Sequence, residues 1–332
     1  MMDAESISPP THFGFLTLRR FSMIAFISAI EPLRMANHLA VEAIYRWSVY
    51  TLEGVPVPAS NGLTVTQTQR LDEAALPDIL LVCGGIDVQH AVDDTLIRAL
   101  RRIARRRITL GALCTGAYAL ARAELLNGYR CAIHWENLAS LRETFPKILF
   151  TPDLFVVDRD RCTCTGGIAP LDLMLHLITP RIGKALAAGI SDQFIVERVR
   201  DGADPQRIPL AVRLGGLHQT LSQAAALMEA NIEDPLSIDE IARMSSVSQR
   251  QLQRLFRRAL RQTPAQYYVG LRLRRARELL LQTDMPIMGI TLACGFRSPA
   301  HFSKTYRAVF GRLPSHERTG ADCPASMFPA RT

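Results

Sequence analysis

The carboxyl-terminal quarter of the chain repeats itself, and no other feature constrains the fold as tightly. Leu252, Phe256, Arg257, Leu260 and Pro264 return fifty residues later as Phe302, Tyr306, Arg307, Phe310 and Pro314. Upstream, Ile241-Ala242 is matched to Leu292-Ala293 at a spacing of 51. Apolar residues at helical spacing, broken by prolines, predict short helices. Ser237-Ile-Asp-Glu240 is a capping box that opens one of them. Each copy reads as a short helix, a tight turn and a second helix that begins on a capping serine, Ser248 in the first copy and Ser298 in the second. That is a helix-turn-helix, present twice. In the second helices, Leu252, Leu255 and Phe256, or Phe302, Tyr306 and Val309, are expected to face a core. Gln249, Arg250, Gln253 and Arg254 then point outward in one copy, and Ala300, His301, Ser303 and Lys304 in the other; with the capping Ser248 and Ser298, and with Arg257 and Arg307, they are the expected DNA contacts.

Charge follows the same boundary. The chain carries a net charge of +8, and residues 233–318, with 15 basic and 7 acidic side chains, account for all of it. A basic module joined to a neutral one suits a polyanion partner. Arg and Gln near the exposed start of a helix can reach base edges in the major groove. Two such helices, held by a connecting helix from Ala265 to about Leu281, would enter successive grooves of double-stranded DNA about 34 Å apart. Arg257, Arg258, Arg272 and Arg307 are expected to serve phosphates, which gives affinity more than specificity. A plain helical bundle with a solvated Arg-rich surface is the competing reading, and the paired copies together with the localised charge weigh against it. A non-specific nucleic-acid binder is a third, distinguished by indifference to sequence at fixed salt.

The first 200 residues alternate strand-like and helix-like patterns. Strands are predicted over 12–18, 47–53, 78–85 and 108–114, with shorter ones near 129–133, 148–150 and 154–157. Helices are predicted over 22–40, about 92–107 and 115–126, with a last one from Ala169-Pro170. Such alternation implies an α/β doubly wound parallel sheet covered on both faces. The chain length of 332 residues suits two domains. They are placed at 10–195 and 226–320, with a linker over 196–225 that holds Gly202, Pro205 and Pro209. Arg19-Arg20 before FSMIAFISAI mimics a signal peptide, but Glu31 and Arg34 end the run too early for a cleavage site. It reads as a buried amphipathic helix, and no apolar stretch is long enough to span a membrane. Seven cysteines, an odd number in a long chain, are not a disulfide framework. Cys162-x-Cys164 has no partner set at metal-ligand spacing and reads as reduced cysteines in a strand. A cytoplasmic protein without metal or cofactor is expected.

LGALCTGAYALARAELLNG (110–128) puts Cys114 at a strand-to-helix turn. Backbone amides there would stabilise a thiolate and lower its pKa. With His134 near a neighbouring strand, this suggests a nucleophile and its partner; a cysteine that merely packs at a pocket floor is an equal reading. The residues expected to converge on a ligand are Gly84, Gly85, Cys114, Thr115, His134, Trp135 and Thr165. Amides suit a carboxylate, and the face of Trp135, with Phe21 or Trp47, suits a quaternary ammonium; simple core packing is the competing reading for Trp135.

The segment from Ser237 to Arg318, and ACGFRSPAHFSKTYRAVFGRLP within it above all, resembles the AraC/XylS-type DNA-binding domain. CTGAYALARAELLNG, His134-Trp135 and CTGGIAPLDLMLHLI (164–178) resemble the PfpI/ThiJ superfamily, with its class I glutamine amidotransferase-like fold. The whole chain is similar to the GlxA-type regulators, which fuse the two. FSMIAFISAIEPLRMAN and SPAHFSKTYR are most similar to regulators of carnitine and glycine-betaine/dimethylglycine catabolism, and an arginine-responsive relative is also similar. The resemblance implies a promoter-binding regulator, usually an activator that contacts RNA polymerase, paired as a homodimer and responsive to a small amine metabolite. One departure bears on catalysis. Catalytic members of the superfamily carry an acid a few residues before a proline in the first helix region. Four residues before Pro32 this chain has Ser28, and Glu31 is out of place. Cys114 is therefore expected to be a vestigial nucleophile in a sensing pocket. The rival is a cysteine-dependent amidase or hydratase with a DNA-binding tail.

Overall fold

The computed structural model describes residues 9–206, 219–283 and 285–318. The chain divides into two compact units, one ending at Gln206 and the other beginning at Arg207.

The first unit is built on a seven-stranded sheet. Its strands are β1 (Thr11–Thr17), β2 (Tyr45–Thr51), β3 (Thr68–Arg70), β4 (Ile79–Cys83), β5 (Thr109–Leu113), β8 (Phe155–Asp158) and β9 (Arg161–Cys164). They run in the order β3-β2-β1-β4-β5-β9-β8. Every pairing is parallel except the last, where β8 returns against β9 through a tight turn at Arg159-Asp160. The expected doubly wound sheet thus carries one antiparallel edge strand. The short strands β6 (Arg130–Ala132) and β7 (Leu149–Thr151) do not join it but form a parallel pair of their own.

Alternate residues of a strand face opposite sides, and the sheet uses both. Phe13 and Phe15 of β1, Leu81 of β4 and Leu113 of β5 pack into one core with α1 (Met23–Ala40) and α5 (Ala169–Gln193). Leu16, Leu80, Val82, Leu110 and Ala112 pack into the other with α2 (Asp94–Ala104), α3 (Ala117–Arg122) and α4 (Trp135–Thr144). The segment resembling a signal peptide is α1, capped by Ser22 and buried through Phe26, Leu33 and Ala36. α5 opens with Pro170 in its first turn and breaks at Gly183, whose φ of 81° glycine tolerates without a Cβ clash.

The second unit is all-helical: α6 (Gln219–Ala230), α7 (Ile238–Met244), α8 (Gln249–Leu260), α9 (Pro264–Gln282), α10 (Ile287–Ala293), α11 (Pro299–Phe310) and α12 (Pro314–Arg318). Two cores flank α9. Its Tyr268 and Leu271 join Leu252 and Phe256 on one side, while Leu273, Ala276 and Leu279 join Phe302 and Tyr306 on the other. The repeat is real, with a register that corrects the expected one. Ile241 and Ile290 are both fully buried, whereas Leu292 is 57% exposed, so the first helices correspond at a spacing of 49. The left-handed residues Ser246 and Gly295 share that spacing, while the caps Ser248 and Ser298 lie 50 apart. Arg297 is the extra residue. Val309, expected in the core, is exposed, and Phe310 packs instead.

The expected linker over 196–225 contributes to both units. Arg200 closes on the buried Asp172 of α5 with its backbone N–H (2.8 Å) and guanidinium (2.6 and 3.0 Å), and Gly202 accepts from Leu154 N. Residues 219–225 belong to α6, which buries Leu221 and Ala224 in the helical core. Residues 207–218 lie outside the described ones, as do 319–320 at the end of the expected second domain.

Candidate functional site

The second unit presents two capped helices. Ser248 Oγ accepts from Gln251 N at 3.3 Å, and Gln251 Oε1 accepts from Ser248 N at 2.8 Å, which closes a capping box at the start of α8. Ser298 Oγ accepts from His301 N at 3.4 Å at the start of α11. Both serines are therefore committed to helix starts. Burial of Leu252 and Phe256 turns Gln249, Arg250, Gln253, Arg254 and Arg257 outward, all exposed. In α11, burial of Phe302 and Tyr306 leaves Ala300, His301, Lys304 and Arg307 exposed and Ser303 half-buried. His301 also lies against the Phe296 ring, centroids 5.8 Å apart. Arg297, exposed just before α11, was missed because its insertion is visible only once the first helices are set in register.

Arg272 is not placed as a phosphate ligand. Its Nε donates to Cys294 O at 2.8 Å and its Nη2 to Gly295 O at 2.6 Å, and its guanidinium lies 4.1 Å from the Phe296 ring centroid. It ties α9 to the turn of the second helix-turn-helix. Arg257, Arg258 and Arg307 are exposed, as their expected role requires.

In the first unit, Cys114 sits where β5 gives way to a one-turn helix, with a left-handed φ of 57°. Its N–H donates to Thr165 O at 3.3 Å, which holds the turn beside the end of β9. A Cβ on Gly166 would stand 2.7 Å from His134 Cδ2 and 3.1 Å from Cys114 Sγ. Cys114, His134 and the Thr165-Gly166 turn therefore meet at the carboxyl edge of the sheet. His134 stacks on Trp135 with centroids 5.5 Å apart, and its Nδ1 is 3.6 Å from Glu136 Oε2. Glu136 was not singled out in the sequence; its place two residues after His134, in the first turn of α4, was the available signal.

The thiol is not activated. Burial pushes Cys114 up to about 11; the Thr115 backbone N–H pulls the other way and the Glu136 carboxylate adds to the rise. This reverses the expectation that helix-start amides would lower it, because one amide does not offset desolvation. Burial likewise lowers the His134 pKa, against Glu136. Glu31, on α1, accepts from Arg34 Nε at 2.8 Å.

Other expected ligand residues serve the backbone around the Cys114 turn. Thr115 Oγ1 donates to Gly85 O at 2.7 Å. A Cβ on Gly84 would meet Gly116 N at 2.3 Å, and one on Gly85 would meet Arg20 O at 2.0 Å. Both glycines permit close backbone approach and leave no space of their own. Phe21 is core. Trp47 is level with Phe13, Ile79 and Thr109 across the sheet. It is thus five residues before Cys114 along the strand direction, or about 16 Å, and does not meet it. It lines a separate cleft of about 520 Å³ with Phe26, Ile30 and Gln69. Among the described residues, no group of three or more His, Cys, Asp or Glu could hold a metal ion, and no helix is long and apolar enough to cross a membrane.

Known proteins agree with both halves. A helix-turn-helix domain family matches residues 241–320, and the DJ-1/PfpI family matches residues 15–180. The HTH-type transcriptional regulator GbdR of Pseudomonas aeruginosa is 48% identical over 94% of this chain and 85% of its own length. The regulator CdhR of the same organism is 43% identical over 92% of this chain and 91% of itself. The chain belongs to the AraC/XylS-type helix-turn-helix regulators that carry a DJ-1/PfpI-like sensor domain. The crystal structure of an AraC family transcriptional regulator from Pseudomonas putida matches 56% of this chain and all of that one, at 35% identity and a TM-score of 0.51. The chain is a DNA-binding transcriptional regulator, and its full-length relatives are named as regulators rather than enzymes.

Proposed function

We propose that the second unit sets α8 and α11 into successive major grooves of promoter DNA, in response to a small amine-bearing metabolite held by the first unit. The observation that carries the DNA half is the start of α8. Its cap is satisfied internally, so Gln249, Arg250, Gln253 and Arg254 stand exposed without being needed by the fold. Arg and Gln there match guanine and adenine edges, and Arg257 and Arg307 match phosphates. In α11, His301 and Lys304 are placed to meet base edges, and the Ala300 methyl suits a thymine methyl. Ser248 and Ser298 position the helices. Promoter occupancy would act through RNA polymerase, most simply as activation, with two chains paired through the first unit.

The amine half is supported by the groups beside Cys114. Glu136 offers a carboxylate to a cation, Trp135 an aromatic face, and the neutral, unreactive thiol a lining that does not compete. Calorimetric titration of the full chain with glycine betaine, dimethylglycine, carnitine and arginine tests this. Saturable heat with one of them, weakened at least about tenfold in Trp135→Ala, is expected. Silence from all four overturns the amine assignment and leaves the DNA reading standing.

A further inference from the structure

The first unit carries a net charge of only −1, with 21 basic and 22 acidic side chains, yet its charge is segregated. No acidic residue occurs between Asp94 and Glu124, and residues 98–107 (RALRRIARRR) hold six arginines. They occupy the last turns of α2 and the turn into β5, where Arg107 takes a left-handed φ of 57°. α2 buries Leu96, Ile97, Leu100 and Ile103, which turns every one of the six outward, all exposed.

The nearby acids are already engaged. Arg101 faces Glu124 at 3.7 Å and Arg102 faces Glu73 at 2.7 Å. At the foot of β5, Asp160 holds Arg161 and Tyr129, Asp158 holds Arg159, and Asp78 accepts from His12 N. Arg105, Arg106 and Arg107 have no ion-pair partner among the described residues. A helix carboxyl terminus favours a cation or two, and Arg101 and Arg102 fill that role. It does not account for three more beyond the helix, whose mutual repulsion is unfavourable without an external anion. The patch is also separate from the Cys114 turn. It stands where β5 begins, at the amino edge of the parallel strands, while Cys114 stands where β5 ends.

We infer that Arg105, Arg106 and Arg107 are an auxiliary contact to the phosphate backbone of duplex DNA flanking the sequence that the second unit reads; the inference rests on that DNA-reading assignment. Guanidinium groups match phosphate oxygens in charge and geometry. The second unit supplies the polyanion at raised local concentration, because the two units belong to one chain. The contact adds affinity and salt dependence without sequence preference.

The test uses the full chain and a binding site selected from a randomised duplex pool, presented on duplexes of about 24 and about 60 base pairs, with affinity measured by fluorescence anisotropy over a salt series. In the triple variant Arg105→Gln, Arg106→Gln, Arg107→Gln, binding to the long duplex is expected to weaken about tenfold. Its log–log salt slope should fall by up to about 2.7, and binding to the short duplex should be unchanged. The double variant Arg105→Gln, Arg106→Gln should show about two-thirds of that decrease in slope. A thermal transition matching that of the parent chain shows that the exposed substitutions leave the fold intact. Unchanged affinity and slope on the long duplex overturns the inference and points to an acidic protein surface instead. Equal loss on both duplexes overturns it as well, since the contact is then not to flanking DNA. If the parent chain selects no sequence at all, the DNA-reading assignment itself fails, and this inference with it.

Discussion

Arg272→Ala separates a structural arginine from a DNA-contacting one. The guanidinium donates to the carbonyls of Cys294 and Gly295 and lies over Phe296. Hydrogen bonds from a charged donor contribute about 1.5–3 kcal/mol each, and a partly buried cation–π contact about 0.5–2 kcal/mol. These groups act together, and water replaces part of what is lost at a half-buried site, so a net cost of about 2–4 kcal/mol is expected. On a helical unit of this size, 1 kcal/mol moves the midpoint by roughly 4–8 °C. The transition of the second unit should therefore fall by roughly 8–32 °C. The chain provides its own control, since both tryptophans, Trp47 and Trp135, are in the first unit. Far-ultraviolet circular dichroism sees both units melt, while tryptophan fluorescence follows the first alone. The variant should show an early loss of helix signal with an unmoved fluorescence transition. Arg272→Lys should fare little better, because an ammonium cannot serve both carbonyls as a planar fork does. An unshifted melt, together with a DNA salt slope reduced by about one, would refute the structural role and restore the phosphate contact.

Three further outcomes follow from the first unit. With its pKa raised to about 11, Cys114 should react with iodoacetamide at pH 8 at least about 100-fold more slowly than a free thiol, with the rate climbing until about pH 11. The same shift sets a stability slope: the folded thiol keeps its proton to about 11 while the unfolded one releases it near 9, so stability is full below about pH 9 and declines from there to about 11. Cys83, Cys131, Cys162 and Cys164 shift in the same direction through burial, and denaturant midpoints from pH 7 to 11 would expose a wrong sign. Gly166→Ala puts a methyl 2.7 Å from His134 Cδ2, and should weaken effector binding by at least about tenfold while leaving effector-free DNA binding unchanged, which calorimetry and anisotropy together would show.

The parts of this molecule legible in the sequence are those set by local periodicity. Strand and helix alternation located β1, β4, β5 and the helices between them, because each buries a face whose period shows in the residues themselves. The three-residue edge strand β3 (Thr-Gln-Arg) has no such face and went unread. The twin helix-turn-helix was legible through its repeated apolar positions, but its register was not. Ile241 could be matched by eye to Leu292 or to Ile290, and only burial decides for Ile290. Roles set by distant contacts were hidden altogether. Nothing near Arg272 in the chain announces that Cys294 and Gly295 return to it. Nothing near Trp47 shows that strand register puts it at the far edge of the sheet from Cys114.

The turn at Cys114 carries the geometry of a nucleophile without its chemistry, and that combination bears on what it does. The left-handed turn at the end of β5 holds the sulfur beside His134. Activation would need a thiolate near neutral pH. Burial and the Glu136 carboxylate both favour the neutral thiol, and Glu31 is occupied by Arg34. For turnover these features are defects. For reversible recognition they are suitable: a neutral sulfur does not trap its ligand, and the same Glu136 that opposes a thiolate attracts a cation. One carboxylate thus disfavours the enzyme and favours an amine sensor. Glu136→Gln separates the two readings, since it should weaken amine binding by about 1–2 kcal/mol while making Cys114 easier, not harder, to alkylate.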